Sequence, residues 1–257
     1  MWDPGQYRRF GDERSRPFFD LLGRVGAEAP RIVADLGCGP GTLTLALARR
    51  WPQAEVLGID SSAEMIEAAR ALPPGAGAPV SFALSDVTDW KPEGSVDVIV
   101  SNAVLQWVPD HLGVVARWAS YLPAGGWLGF QVPANYDQPG YQALRELVAS
   151  DRWRPLLAGV QLNRQAADPA EYLDLLASAG FEVDAWETSY VHVLHGEDPV
   201  LRWYRGTGLR PVLAALEPGQ ASEFLAGYRA RLREAYPAAA YGTVFPFRRV
   251  FAVAVRR

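Results

Sequence analysis

The stretch DLGCGPG, residues 35–41, sets three glycines at alternate positions behind the apolar run Ile32-Val33-Ala34. A glycine loop at the end of a buried strand lets a ligand approach the backbone closely. A phosphate cradle would need Gly-Lys-Ser/Thr, but Gly41 is followed by Thr42-Leu43. A dinucleotide fingerprint, G-x-G-x-x-G, would need its third glycine at position 42, which is threonine. The spacing present is G-x-G-x-G, preceded by the acid Asp35. Two more acids follow at comparable places. Asp60 closes the second apolar run, where a carboxylate can accept from both hydroxyls of a ribose. Asp86 follows the third, placed to accept from an adenine amino group. Together these residues describe a nucleoside site without phosphate chemistry. Each aspartate taken alone also suits a helix cap or a turn.

The elements that must position them alternate in type. Arg31–Leu36, Glu55–Ile59, Val80–Leu84, Val96–Val100 and Trp127–Val132 read as short buried strands. Thr42–Trp51 and Leu112–Tyr121 read as helices, and Ser61 or Ser62 can cap another that carries Met65, Ile66 and Ala69 on one face. Residues 73–79, PPGAGAP, form a loop. Such crossovers imply a doubly wound, mostly parallel α/β sheet whose ligands bind beyond the carboxyl ends of the strands. The second half reads differently. It holds a helix Pro169–Ala179, a long strand Phe181–Leu194, a helical block 198–236 and a last strand Val250–Val255. The expected organisation is one domain over 1–257, with a lid at 1–28, a core at 31–132 and cap insertions at 133–180 and 195–245.

Composition bounds the partners. The 257 residues are 49% hydrophobic and carry 25 Lys+Arg against 29 Asp+Glu, a net charge of −4. No concentrated basic patch of the kind that grips nucleic acid is expected. Cys38 is the lone cysteine, so no internal disulfide is possible, and a reducing compartment is expected. The polar start MWDPGQYRRFGDERSRP does not read as a signal peptide, and no apolar run reaches spanning length, so a cytoplasmic location is expected. Neither a metal nor an oligomeric state is indicated.

The chain resembles the class I S-adenosylmethionine-dependent methyltransferases in DLGCGPG, in Asp60-Ser61-Ser62-x-x-Met65, in Asp86 and in SNAVLQWVPDH (101–111). Within them it is similar to the trans-aconitate 2-methyltransferases. That likeness lies in the opening W-x-P-x-x-Y-x-x-F with Arg14 to Pro17, in VDAWETSYVH (183–192), in TGLRP (207–211) and in FPFRRVFAVA (245–254). The resemblance implies a seven-stranded Rossmann-like sheet whose last strand is antiparallel, with a helical cap. It implies S-adenosylmethionine as cofactor and methyl transfer to a carboxylate of trans-aconitate or a similar polycarboxylic acid, giving a monomethyl ester. Carried over, Gly37 and Gly39 pass against the methionine part of the cofactor and Asp35 orders their loop. Asp60, with Ser61 beside it, takes the ribose. Asp86 takes the adenine amino group, the Val87 N–H faces the ring, and Met65 packs on it or serves as plain core. Ser101 or Asn102 lies near the cofactor's amino group, through a backbone carbonyl.

An acceptor that is already ionised at pH 7 requires no general base, and none is convincing in the sequence. His111 and His195 read as exposed, and His192, the only candidate base near a strand end, otherwise reads as a surface strand residue. The acceptor pocket is expected to use arginines, which hold carboxylates in bidentate fashion: Arg14, Arg210 and one of Arg248 and Arg249. Adjacent arginines on a strand point to opposite faces. Tyr7 and Trp107 are expected to close the site, and Tyr190 or Gln106 to orient the attacking carboxylate. Another small-molecule acceptor, and a cofactor-binding module without catalysis, are the alternatives.

Overall fold

The computed structural model describes residues 11–73, 77–162 and 166–257, with residues 11–14 described by their backbone alone. Its strands are β1 (Ile32–Leu36), β2 (Glu55–Asp60), β3 (Val80–Leu84), β4 (Val98–Asn102), β5 (Trp127–Pro133), β6 (Phe181–Leu194), β7 (Ala238–Ala239) and β8 (Gly242–Arg256). They lie in one sheet in the order β3-β2-β1-β4-β5-β8-β6, with the two-residue β7 paired to β8. β1 to β5 are mutually parallel. β8 runs antiparallel to β5 with Pro133 opposite Arg249, so the expected antiparallel last strand is present.

The chain divides into two compact units. The first holds the described residues of Met1–Pro133, with Ala166–Thr188 and Arg249–Arg257; the second holds those of Ala134–Gln165, with Ser189–Arg248. The cap expected at 133–180 therefore includes a segment, from Ala166, that the structure groups with the first unit.

In the first unit β1 and β4 are buried almost throughout, as strands covered by helices on both faces must be. Phe18, Leu21, Leu36, Leu47, Trp118, Phe130, Tyr172 and Phe251 fill its core. Gly129 admits the neighbouring Val25 and Leu21 side chains to the sheet, because a Cβ there would stand 3.1 Å from Val25. β1 is flanked by β2 on one side and β4 on the other, so strand order reverses beside it. A crevice at that switch point is where ligands of open α/β sheets bind.

The second unit is built from the helices Pro139–Ala149, Arg154–Leu157, Pro199–Arg205, Arg210–Ala214 and Pro218–Ala235. Its core is aromatic: Trp203, Phe245, Phe247 and Tyr204 stack edge-on or tilted at centroid distances of 5.1 to 6.1 Å. The Tyr236 hydroxyl stands in for an N-cap side chain at the helix Pro139–Ala149, and Tyr228 braces the same turn. The Gly140 N–H donates to the Tyr236 hydroxyl (3.0 Å), and the Tyr228 hydroxyl donates to the Gly140 carbonyl (2.9 Å).

Candidate active site

The glycine loop leaves β1 in the left-handed region, with φ of +81° at Gly37, +55° at Gly39 and +79° at Gly41. The N–H groups of Gly37 and Cys38 both donate to the Ile59 carbonyl, at 2.7 and 2.9 Å, which ties the loop to β2. Two of the three glycines answer to the protein's own packing. A Cβ at Gly37 would overlap the Val104 side chain, and one at Gly41 would stand 2.7 Å from the Phe82 ring. Gly39 differs: a Cβ there would meet none of the described residues within 4 Å. The backbone at 39 is thus bare on the side where a ligand can approach.

The acids around this loop are structural as well as exposed to chemistry. Asp35 is 2% exposed and accepts from the Thr44 hydroxyl at 2.6 Å, joining the end of β1 to the helix Thr44–Arg50. Burial pushes its carboxyl up to about 7, the Thr44 hydrogen bond opposes this, and the nearby Asp60 charge adds to it. The Asp60 carboxylate spans the loop and the next helix. One oxygen accepts from the Gly39 N–H and the other from the Ser62 N–H, both at 2.9 Å. Burial raises its pKa, against the pull of those N–H groups. Each carboxylate oxygen can accept a second bond, so the ribose role is compatible with this geometry. Ser62 caps the helix Ala63–Arg70 through the Met65 N–H (3.3 Å), while Ser61 is exposed. Met65 itself is 3% exposed, within the helix's buried face. Asp86 is exposed and makes an Asx turn, one oxygen accepting from the Thr88 N–H (2.8 Å) and hydroxyl (2.7 Å). The Val87 carbonyl accepts from the Trp118 indole at 3.2 Å.

The next strand, expected over Val96–Val100, is shifted two residues along the chain to Val98–Asn102. β4 was expected to stop at Val100, but pairing with β5 continues to Asn102 opposite Gln131. Ser101, 1% exposed, donates to the Leu36 carbonyl at 2.8 Å and so joins β4 to the root of the glycine loop. Asn102 accepts from the Gln131 amide at 2.6 Å, and Gln131 accepts from Arg249 at 3.0 Å. Ala103 then takes φ +58°, uncommon for a residue with a side chain. Its N–H donates to the Gln131 carbonyl (3.0 Å), and its carbonyl accepts from the Gln106 amide (2.7 Å). This sharp turn is what lays Val104 against Gly37. Trp107 follows in a single 3-10 turn, 37% exposed.

The remaining expected acceptor residues are distributed between the units. Arg249 belongs to the first unit and is 3% exposed. Arg248, in the second, is half-buried. Its backbone is held by Asn135 in both directions, at 2.8 and 3.2 Å. Tyr190 is 3% exposed, and Arg210 is half-buried at the start of its helix. Tyr7 lies outside the described residues, as does the Arg14 side chain. The expectation for His192 fails. It is 7% exposed, not a surface residue, because the strand turns that face toward Trp203 and Phe247 at 5.3 and 6.3 Å. His195 is exposed and His111 half-buried beside Tyr172. Burial pushes the Cys38 thiol up, away from the reactive thiolate form. Gln131 was missed altogether. Its one signal is being the only amide in the buried run WLGFQVP.

Residues 33–126, which carry the glycine loop and all three acids, match the family model for a methyltransferase domain. The trans-aconitate 2-methyltransferase of Streptomyces avermitilis is 52% identical over 98% of this chain and 96% of its own. That of a Mycobacterium species, strain KMS, is 51% identical over 99% of both chains. The chain belongs to the trans-aconitate 2-methyltransferase family. Its fold is shared more widely: YcgJ of Bacillus subtilis, at 15% identity, superposes with a TM-score of 0.59 over 94% of this chain and 98% of its own. The family's cofactor is S-adenosylmethionine, and the site passes a physical test for it. Gly39 offers bare backbone, Asp60 keeps acceptor capacity for a diol, and the Val87 N–H donates to no other described residue. There is no cationic cradle of the kind a pyrophosphate needs among the loop residues 35–41.

Proposed function

We propose that this trans-aconitate 2-methyltransferase family member methylates a carboxylate of trans-aconitate, or of a similar small polycarboxylic acid, releasing a monomethyl ester. The observation that supports the acceptor is identity of about half the residues over both units, not over the cofactor-binding segment alone. When bound, the cofactor supplies a methyl group on a sulfonium, which an oxygen anion can take in one displacement. The cofactor's holders would be Gly37, Gly39, Asp60, Asp86 and the Val87 N–H, with Asp35 and Ser101 fixing the loop from beneath.

Alignment and exclusion of water are what this chain has to provide. The acceptor carboxylate is ionised at neutral pH, so no residue needs to remove a proton from it. Arg249 brings a buried guanidinium to the first residue of β8 in that unit, opposite Pro133 at the carboxyl end of β5. A cation so placed attracts a polyanion and holds a carboxylate other than the attacking one, whose oxygen must stay weakly bound to remain nucleophilic. The reading is tested by offering labelled S-adenosylmethionine with a panel of di- and tricarboxylates and assigning the ester by NMR. Label in a monomethyl ester of trans-aconitate is expected. Label passing only to amines or alcohols, with every acid inert, would overturn it.

A further inference from the structure

Arg249, Gln131 and Asn102 form a line of three side chains on β8, β5 and β4, adjacent strands of the first unit. Chemistry fixes its direction. A guanidinium only donates, so the oxygen of Gln131 must face Arg249 and its amide nitrogen must face Asn102. Asn102 therefore turns its oxygen toward Gln131 and its own amide hydrogens away from it. Gln131 is 1% exposed, so water cannot supply a substitute partner and let the amides rotate. The same residue also fixes the backbone beyond, through its carbonyl and the Ala103 N–H.

We propose that Gln131 is a positioning residue that sets Asn102 as a hydrogen-bond donor to a carboxylate oxygen of a bound reactant. An unanchored asparagine offers either its oxygen or its hydrogens, and the oxygen would repel a carboxylate. The relay from Arg249 removes that choice. Two reactants bring a carboxylate, the acceptor acid and the methionine part of the cofactor, and the measurements separate them. The inference rests on the reading of the protein as a carboxylate methyltransferase, which wild-type turnover on trans-aconitate tests by itself.

Gln131→Glu keeps the shape but reverses the relay. The new carboxylate accepts from Arg249 and demands a donor from Asn102, which then presents its oxygen outward. Gln131→Met simply cuts the line. The expected order is a 10- to 100-fold rise for Q131E and a rise below about fivefold for Q131M, as scales for charge-assisted bonds suggest. The affected constant is the acceptor's KM if the acid is the partner, or the cofactor's Kd by calorimetry if the cofactor is. A merely structural glutamine gives the opposite order, since Glu fits the space better and gains an ion pair. In an Asn102→Ala background the Q131E penalty should shrink to under twofold; a penalty that persists there would show it acts on Arg249 alone and overturn the proposal. Asn102→Asp retains the bond from Gln131 and replaces the outward hydrogens by oxygen, so it serves where Q131E fails to fold. Both constants unchanged in N102D would equally overturn the assignment.

Discussion

In the first unit the buried polar side chains Asp35, Ser101, Gln131 and Arg249 reach from one strand end to the next element. In the second, buried polar atoms belong largely to tyrosines packed among other rings, Tyr204, Tyr228 and Tyr236. Burial raises the pKa of all three phenols, which keeps them neutral. The contrast separates two uses of a buried polar group. At the strand ends each bond ties one strand to the next element. In the aromatic unit the Tyr236 and Tyr228 hydroxyls hold the start of one helix and specify packing. Substitutions of these strand-end groups should therefore move binding, and removal of these tyrosine hydroxyls stability alone.

Breaking the glycine loop should have the largest effect. Gly37→Ala must both hold φ +81° with a side chain and displace Val104, which together cost more than about 3 kcal/mol of unfolding free energy in a urea titration. Gly39→Ala sharpens the point, because its Cβ meets open space. A stability loss of about 1 kcal/mol is expected, with at least a tenfold loss of cofactor affinity. Equal destabilisation of the two variants would contradict the division between packing glycines and the ligand-facing one.

The pH dependence of stability is next. A carboxyl raised from 3.8 to about 7 in the folded state binds its proton more tightly there than in the unfolded chain. Its contribution to stability thus falls as pH rises from about 4 to about 7 and stays low above that. Asp60, also raised, acts in the same direction. Without added cofactor, Asp35→Asn should gain on the wild type between pH 5 and pH 7.5, read by denaturant midpoint. A difference that does not change with pH would show that Asp35 is ionised throughout.

Asp60→Ala should weaken cofactor binding ten- to a hundredfold, about 1.5–3 kcal/mol by calorimetry, for the loss of charge-assisted bonds to hydroxyls. The smallest effect belongs to the second unit. Tyr228→Phe removes the donor to the Gly140 carbonyl and should cost about 1 kcal/mol of stability while leaving the cofactor's Kd within twofold. A large change in Kd would erase the distinction between the units.

Most of the cofactor edge was legible because it is local. The run before Gly37, the alternating glycines and the acids at successive strand ends lie within about fifty residues. β6 was read with its observed limits, Phe181–Leu194. β8 was not: it begins at Gly242 instead of Val250, since Pro246 within VFPFRR reads as a strand breaker when its position at the end of the sheet is unknown. The block 198–236 proved to be three helices, interrupted around Gly206–Gly208 and over residues 215–217. Long-range pairing was invisible. Gln131 bonds a residue 118 positions away, and the sequence says only that a lone amide in a buried strand must have some partner. The burial of His192 likewise depends on which face of a long strand meets Trp203.

Methyl transfer by alignment, with no base acting on the acceptor, fixes the shape of the pH–rate profile. With saturating cofactor and trans-aconitate, turnover should be level between pH 6 and pH 8, and His192→Gln should keep most of it. An ascending limb through that range that disappears in the His192→Gln variant, with fold and cofactor affinity intact, would contradict the account.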